Sequence, residues 1–223
     1  MIRPGDVIFF GRNTSEFCQA VEQVVPDNDY FHVAIVSDIG TIIEASPDGV
    51  SEFNSLKASI EENKPGYVEI MTPALSDSQK MKAATWAKTK VGLQYNDLFA
   101  ADLFNSQGNE SYYCSQLITE AYRDCDMKWP SHTLNFKNES GNLIDFWVDY
   151  FKERGGRQVP QGDPGSHPAQ LRKSTILQRK TQTGSDKTCL CGCCGTEFDK
   201  KTLVFKKEDK QNKCVQLTQH AAF

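Results

Sequence analysis

A chain of 223 residues, 39% hydrophobic and 24% charged, has the apolar mass for one ordinary domain plus an appendage. Its net charge of −4 hides an asymmetry: residues 1–153 carry 12 Lys/Arg against 23 Asp/Glu, and residues 154–223 carry 13 against 6. The acidic part argues against a nucleic-acid-binding core, while the basic part is either a contact for an anionic partner or a solvated tail.

Met1-Ile2-Arg3-Pro4 leads straight into strand-like sequence, without the apolar stretch of a secretion signal. No apolar run approaches the roughly 18 residues needed to cross a bilayer. The expectation is a cytoplasmic protein whose eight cysteines are thiols or metal ligands rather than disulfides.

Taken in order, Pro4-Gly5-Asp6 reads as a turn and Val7 to Phe10 as a buried strand. Thr14 or Ser15 caps a helix carrying Phe17, Val21, Val24 and Val25 at helical spacing, and Pro26 stops it. Cys18 in that helix reads as a packing residue. Phe31–Ser37 and Thr41–Ala45 are β-branched and aromatic enough to pair as a hairpin. After a turn at Pro47 to Gly49, residues 55–62 form a short helix and Tyr67 to Met71 another strand. Ser76 caps a helix to about Lys90, with Met81, Ala84, Ala87 and Val91 inward and Gly92 as terminator. A last aromatic-rich helix covers Leu143 to Phe151.

Tyr112-Tyr113-Cys114-Ser115-Gln116-Leu117-Ile118 is the stretch that carries chemistry. Leu117, Ile118 and Ala121 have the spacing of a buried helical stripe, and Asn109 or Ser111 offers an N-cap. Cys114 then falls in the first turn, where free N–H groups and the macrodipole favour an anion. A thiol in that position ionises more readily and becomes a candidate nucleophile. The competing reading is a thiol that only packs.

A nucleophilic thiol needs a base, and the hairpin offers one. Period-2 alternation puts His32, Ala34 and Val36 on one face of the strand. If the loop is Asp38, Ile39 and Gly40, with Gly40 at positive φ, Ser37 faces Thr41 and Ala34 faces Glu44. Glu44 is then a diagonal neighbour of His32 on the same face, within reach of an imidazole. A two-residue loop would instead turn Glu44 to the opposite face. A histidine backed by a carboxylate is the arrangement a general base requires.

These residues carry a resemblance. Pro4-Gly5-Asp6 with Val7 to Phe10, Phe31-His32-Val33-Ala34-Ile35-Val36 and Ile43-Glu44-Ala45 resemble the histidine half of the NlpC-type papain-like cysteine hydrolases. Gly92-Leu93-Gln94-Tyr95-Asn96, Tyr113-Cys114-Ser115-Gln116 and Trp129-Pro130 resemble the cysteine half. The cysteine half comes second, as in the circularly permuted YiiX-like branch. The resemblance implies an α+β papain-like fold, an antiparallel sheet packed against the cysteine helix. It implies a Cys114–His32–Glu44 triad cleaving an amide bond through a thioester, with no cofactor for catalysis. The Cys114 backbone N–H would serve an oxyanion hole, and Tyr95 and Tyr113 would line the oxyanion or substrate pocket. The absence of a wall-binding module leaves the substrate open among small acyl, peptide and lipid groups. A lipid or thioester acyl hydrolase or acyltransferase, and a catalytically silent binding module, are the alternatives.

Residues 155–188 are rich in Gly, Pro, Gln and basic residues and read as a flexible linker after a domain of residues 1–154. Residues 189–223 form a Cys-rich tail. Cys191 and Cys194 have zinc-knuckle spacing, with Cys214 and His220 as a loosely matching second pair. A lipidated thiol cluster, or no site, are the other readings of the tail.

Overall fold

The computed structural model describes residues 2–182, apart from residues 26, 27, 39, 126 and 128, together with short strands at Thr196–Phe198 and Phe205–Lys207. The four zinc candidates Cys191, Cys194, Cys214 and His220 lie outside the described residues. A six-stranded antiparallel sheet, in the order β4-β3-β2-β1-β5-β8, is the centre of the domain. Its strands are β1 (Val7–Gly11), β2 (Tyr30–Val36), β3 (Ile42–Ser46), β4 (Gly49–Phe53), β5 (Tyr67–Pro73) and β8 (Leu177–Gln182). All five residues of β1 are buried, as a central strand requires.

Alternation along the strands separates two apolar layers. Val7, Phe9, Val33, Ile35 and Ile43 join a core with α3 (Asp77–Lys88), α4 (Cys114–Ala121) and α5 (Asp145–Glu153). Ile8, Phe10, Ala34, Val36 and Ile42 pack instead against Leu56 and Ile60 of α2 (Leu56–Asn63). The helix ends follow local rules. Ser15 Oγ accepts from Cys18 N at the start of α1 (Glu16–Glu22), and Ser55 Oγ from Ala58 N at the start of α2. Ser76 and Gln79 form a reciprocal capping box on α3.

Three expectations need correction. In α3 the buried positions are Lys80, Ala83, Ala84 and Ala87, while Met81 and Val91 are exposed, because the small alanines let the helix lie close. The N-cap of α4 is Tyr113, with neither Asn109 nor Ser111 in that position. The span from 155 is not all linker. It contains β7 (Pro164–Gly165), paired with β6 (His132–Thr133), then α6 (Pro168–Arg172), then β8 on the sheet edge. Leu171 is completely buried, and Glu69 on β5 binds Arg172 through both carboxylate oxygens, at 2.9 and 3.1 Å. Lys180 of β8 reaches the buried Asp6 at 2.7 Å. Pro168, Ala169 and Leu177 are buried as well, and β8 pairs along β5, so these charged pairs add to apolar and backbone contacts.

Candidate active site

Of the two registers open to the β2–β3 hairpin, the structure has the one that puts Glu44 on the His32 face: Ser37 N donates to Thr41 O, Gly40 sits at φ +88° and Ala34 pairs with Glu44. His32 opposes Phe10 and Tyr30 opposes Gly11, so Phe31 is the extra residue of a β-bulge. The rings of Phe31 and Phe10 lie 6.2 and 5.3 Å from the His32 ring and leave it almost no exposure.

Glu44 Oε1 lies 3.6 Å from His32 Nε2, an ion-pair distance longer than a hydrogen bond. Nε2 has no hydrogen-bond partner among the described residues. Burial disfavours a charge on His32. The opposing charge of Glu44 and the nearby Cys114 outweigh it, and the imidazole pKa rises from 6.5 to about 10. Glu44 is itself buried, which alone would raise its pKa. His32 and hydrogen bonds from Ser59 and Asn63 reverse that, and the carboxyl lies below its ordinary value. Ser59 Oγ donates to Oε2 at 2.7 Å and Asn63 Nδ2 to Oε1 at 2.6 Å.

Cys114 occupies the first position of α4, where its N–H has no acceptor within the helix. Leu117 and Ile118 are fully buried and Ala121 nearly so, which seats the helix on the sheet. Gln116 fixes the approach to the helix: Asn96 Nδ2 donates to its Oε1 at 2.9 Å, and its Nε2 donates to Ala100 O at 2.9 Å.

Cys114 and His32 line one cavity of about 100 Å³, whose wall is largely apolar: Phe17, Val21, Val24, Phe99, Leu134 and Phe136. Tyr95 and Tyr113 also line it. Burial, then the nearby Cys114, raise the Tyr95 pKa. The Tyr113 hydroxyl is already engaged, accepting from Ser166 N at 3.0 Å. A second, more open groove of about 350 Å³ shares Pro47 and Tyr95 with the first and is polar, with Asp48, Asp97, Asn105, Gln107 and Arg154.

Sequence reasoning missed four contributors. Ser59 and Asn63 stand four residues apart on α2, a spacing that gives no sign of the carboxylate they hold. Cys18, read as packing, borders the same cavity as Cys114, and burial raises its thiol pKa to about 11. His167 caps α6 over the cavity. Its Nδ1 accepts from Ala169 N at 3.1 Å and its Nε2 lies 2.9 Å from Val21 O, so the neutral Nε2–H tautomer satisfies both. Burial lowers its pKa to about 4.

The sequence profile of the permuted papain-like amidases (YaeF/YiiX, C92 family) matches residues 1–176. The chain belongs to this amidase family. The crystal structure of metalloprotein YiiX from Escherichia coli O157:H7 is similar in fold, with a TM-score of 0.63 and 22% identity over 81% of this chain and 97% of that one. No curated protein matches the sequence. Among the described residues of this chain, no group of three or more His, Cys, Asp and Glu side chains could hold a metal ion. Among them, too, no helix is long and apolar enough to cross a membrane.

Proposed function

We propose that the chain is a thiol amidase that works through an acyl-enzyme on Cys114, with His32 as acid–base and Glu44 as its carboxylate partner. One observation carries this reading: the helix-start thiol and the glutamate-backed imidazole border the same cavity. The Cys114 sulfur attacks the amide carbonyl carbon, forming a C–S bond while the carbonyl oxygen takes negative charge. The N–H of Cys114, at the first position of α4, supports a role in receiving that charge. Collapse of the intermediate breaks the C–N bond, and imidazolium His32 protonates the departing amine. Water, deprotonated by His32, then releases the acid and restores the thiol.

The cavity wall favours an apolar group on the acyl side. An apolar cavity of about 150 Å³ takes up benzene, so the roughly 100 Å³ here suits a somewhat smaller group, with longer chains needing displacement of the α6 roof. The polar groove beyond Tyr95 suits the amine side. The apolar wall also favours a second reading, a lipid or thioester acyl substrate handled by the same nucleophile.

The test is turnover of N-acyl aminocoumarin amides graded from acetyl to dodecanoyl, beside the matching thioesters, with mass spectrometry of the trapped acyl group. Acyl mass on Cys114, and loss of turnover in Cys114→Ala and His32→Ala, are expected. Acylation of a different cysteine, or full activity in Cys114→Ala, would overturn the proposal.

A further inference from the structure

Both oxygens of Glu44 are occupied from outside the hairpin. Ser59 Oγ holds Oε2 at 2.7 Å and Asn63 Nδ2 holds Oε1 at 2.6 Å, short distances expected of hydrogen bonds to an ionised acceptor. The two donors sit one helical turn apart on α2, so one rigid element presents both. The second Asn63 amide proton goes to Ser59 O at 2.9 Å. Turning the amide over would set its oxygen against two acceptors, which fixes the orientation. The end of α2 is tied down in turn, because Asn13 Nδ2 donates to Asn63 O at 2.6 Å.

His32 receives what this grip leaves. The Oε1 that Asn63 holds is the atom facing Nε2, and it stays 3.6 Å away although Nε2 has no other partner among the described residues. A free carboxylate would move closer to an imidazolium, since the attraction strengthens as the separation shrinks. We propose that Ser59 and Asn63 are positioning residues for the candidate catalytic pair: by gripping both oxygens of Glu44, α2 sets how far its charge stands from the His32 ring. The consequence is a balance. His32 must hold a proton long enough to deliver it to a leaving amine, yet give it up to take one from water. A carboxylate drawn fully onto Nε2 would favour the imidazolium and hinder the second half of the cycle.

The ionisable groups around the ring are Glu44 on β3, Cys114 on α4 and, along the cavity wall, Cys18, Tyr95, Tyr113 and His167. Ser59 and Asn63 both donate to Glu44, and Asn63 also borders the cavity, so Ser59→Ala is the variant that acts through the carboxylate alone.

This inference rests on the proposed pairing of Cys114 with His32, and the experiment separates the two. The protonation midpoint of His32 is read by ¹⁵N NMR of the ring in the full chain, which requires no turnover. In parallel, the pH dependence of Cys114 alkylation by iodoacetamide is followed. In Ser59→Ala and Asn63→Ala the midpoint is expected to rise by roughly one pH unit. Where an amide substrate is turned over, kcat should fall roughly tenfold with KM unchanged. Ser59→Thr, which retains the hydroxyl, should restore the wild-type midpoint. Unchanged or lowered midpoints in both alanine variants, with melting temperatures near wild type, would overturn the inference even if Cys114 proves to be the nucleophile. Alkylation of wild-type Cys114 that is indifferent to His32→Ala would instead overturn the catalytic pairing and leave the NMR result to judge the grip alone.

Discussion

Glu44 reaches His32 diagonally across the hairpin, because its direct cross-strand partner is Ala34, and the resulting Nε2–Oε1 separation is 3.6 Å. Alanine at the paired position leaves the room through which the glutamate side chain crosses to the neighbouring histidine. The pairing turns a surface pattern of alternating residues into a buried pair of opposite charges.

That pair gives stability a pH window. His32 is raised from 6.5 to about 10, so its contribution is fully present below about 6.5 and is lost as pH rises through about 10. Glu44 is lowered from 4.5, so its contribution is present above 4.5 and lost as pH falls below that value. Melting temperature should therefore peak between about 4.5 and 6.5 and decline on both sides. Glu44→Gln should flatten the profile and cost several degrees at the peak, measured by differential scanning calorimetry. Its kcat should fall by about two orders of magnitude.

The two cavity thiols should differ in reactivity. With its pKa near 11, Cys18 is almost wholly protonated at pH 7.5 and a poor nucleophile. Limited iodoacetamide at that pH is expected to alkylate Cys114 at least tenfold faster than Cys18, followed by peptide mass spectrometry. His32→Ala should slow Cys114 and so narrow the difference, leaving Cys18 unchanged.

Val21 borders the cavity from α1 and is only partly buried, so a larger side chain there fills the cavity with little strain on the core. In Val21→Phe, kcat/KM for butanoyl amides should drop roughly tenfold or more relative to acetyl amides. An equal loss for both would point away from an acyl pocket.

Gly49 stands at φ +111°, and a Cβ there would meet the Leu93 carbonyl oxygen at 2.7 Å. That contact sits where Val50 N donates to Leu93 O at 2.8 Å, joining β4 to the segment that leads to Tyr95. Gly49→Ala should cost about 2–4 kcal/mol of stability, read from the urea midpoint.

Glu69 is fully buried and gathers Arg172, Arg179 at 2.6 Å and the Tyr30 hydroxyl. Glu69→Gln leaves two guanidiniums that can still turn to water, so the expected cost is about 2 kcal/mol. Amide exchange should accelerate selectively across residues 166–182, where α6 and β8 lose their anchor.

The hairpin register could be worked out from residues 31–45 because alternation and a glycine loop constrain it locally. The α4 stripe of Leu117, Ile118 and Ala121 was equally legible, since burial repeats with the helical period. The inward face of α3 was misread: Met81 and Val91 are the bulkier residues, yet the alanine face allows closer approach to the core. Docking of residues 164–182 was hidden because its buried apolar residues, among them Leu171 and Leu177, are few and widely spaced, and because Glu69 and Asp6, which hold Arg172 and Lys180, read as surface charges in a one-dimensional pattern.

From sequence alone came the family resemblance, the placement of a thiol at the start of a helix, and a histidine with a glutamate on its face. Periodicity and turn chemistry suffice for these because each depends on residues near one another along the chain. Only the folded chain decided that α2 holds Glu44 through Ser59 and Asn63, that Cys18 borders the cavity of Cys114, and that α6 roofs it. Such contacts depend on how helices pack across the sheet and on side-chain reach of a few ångströms, quantities that no spacing between residues encodes.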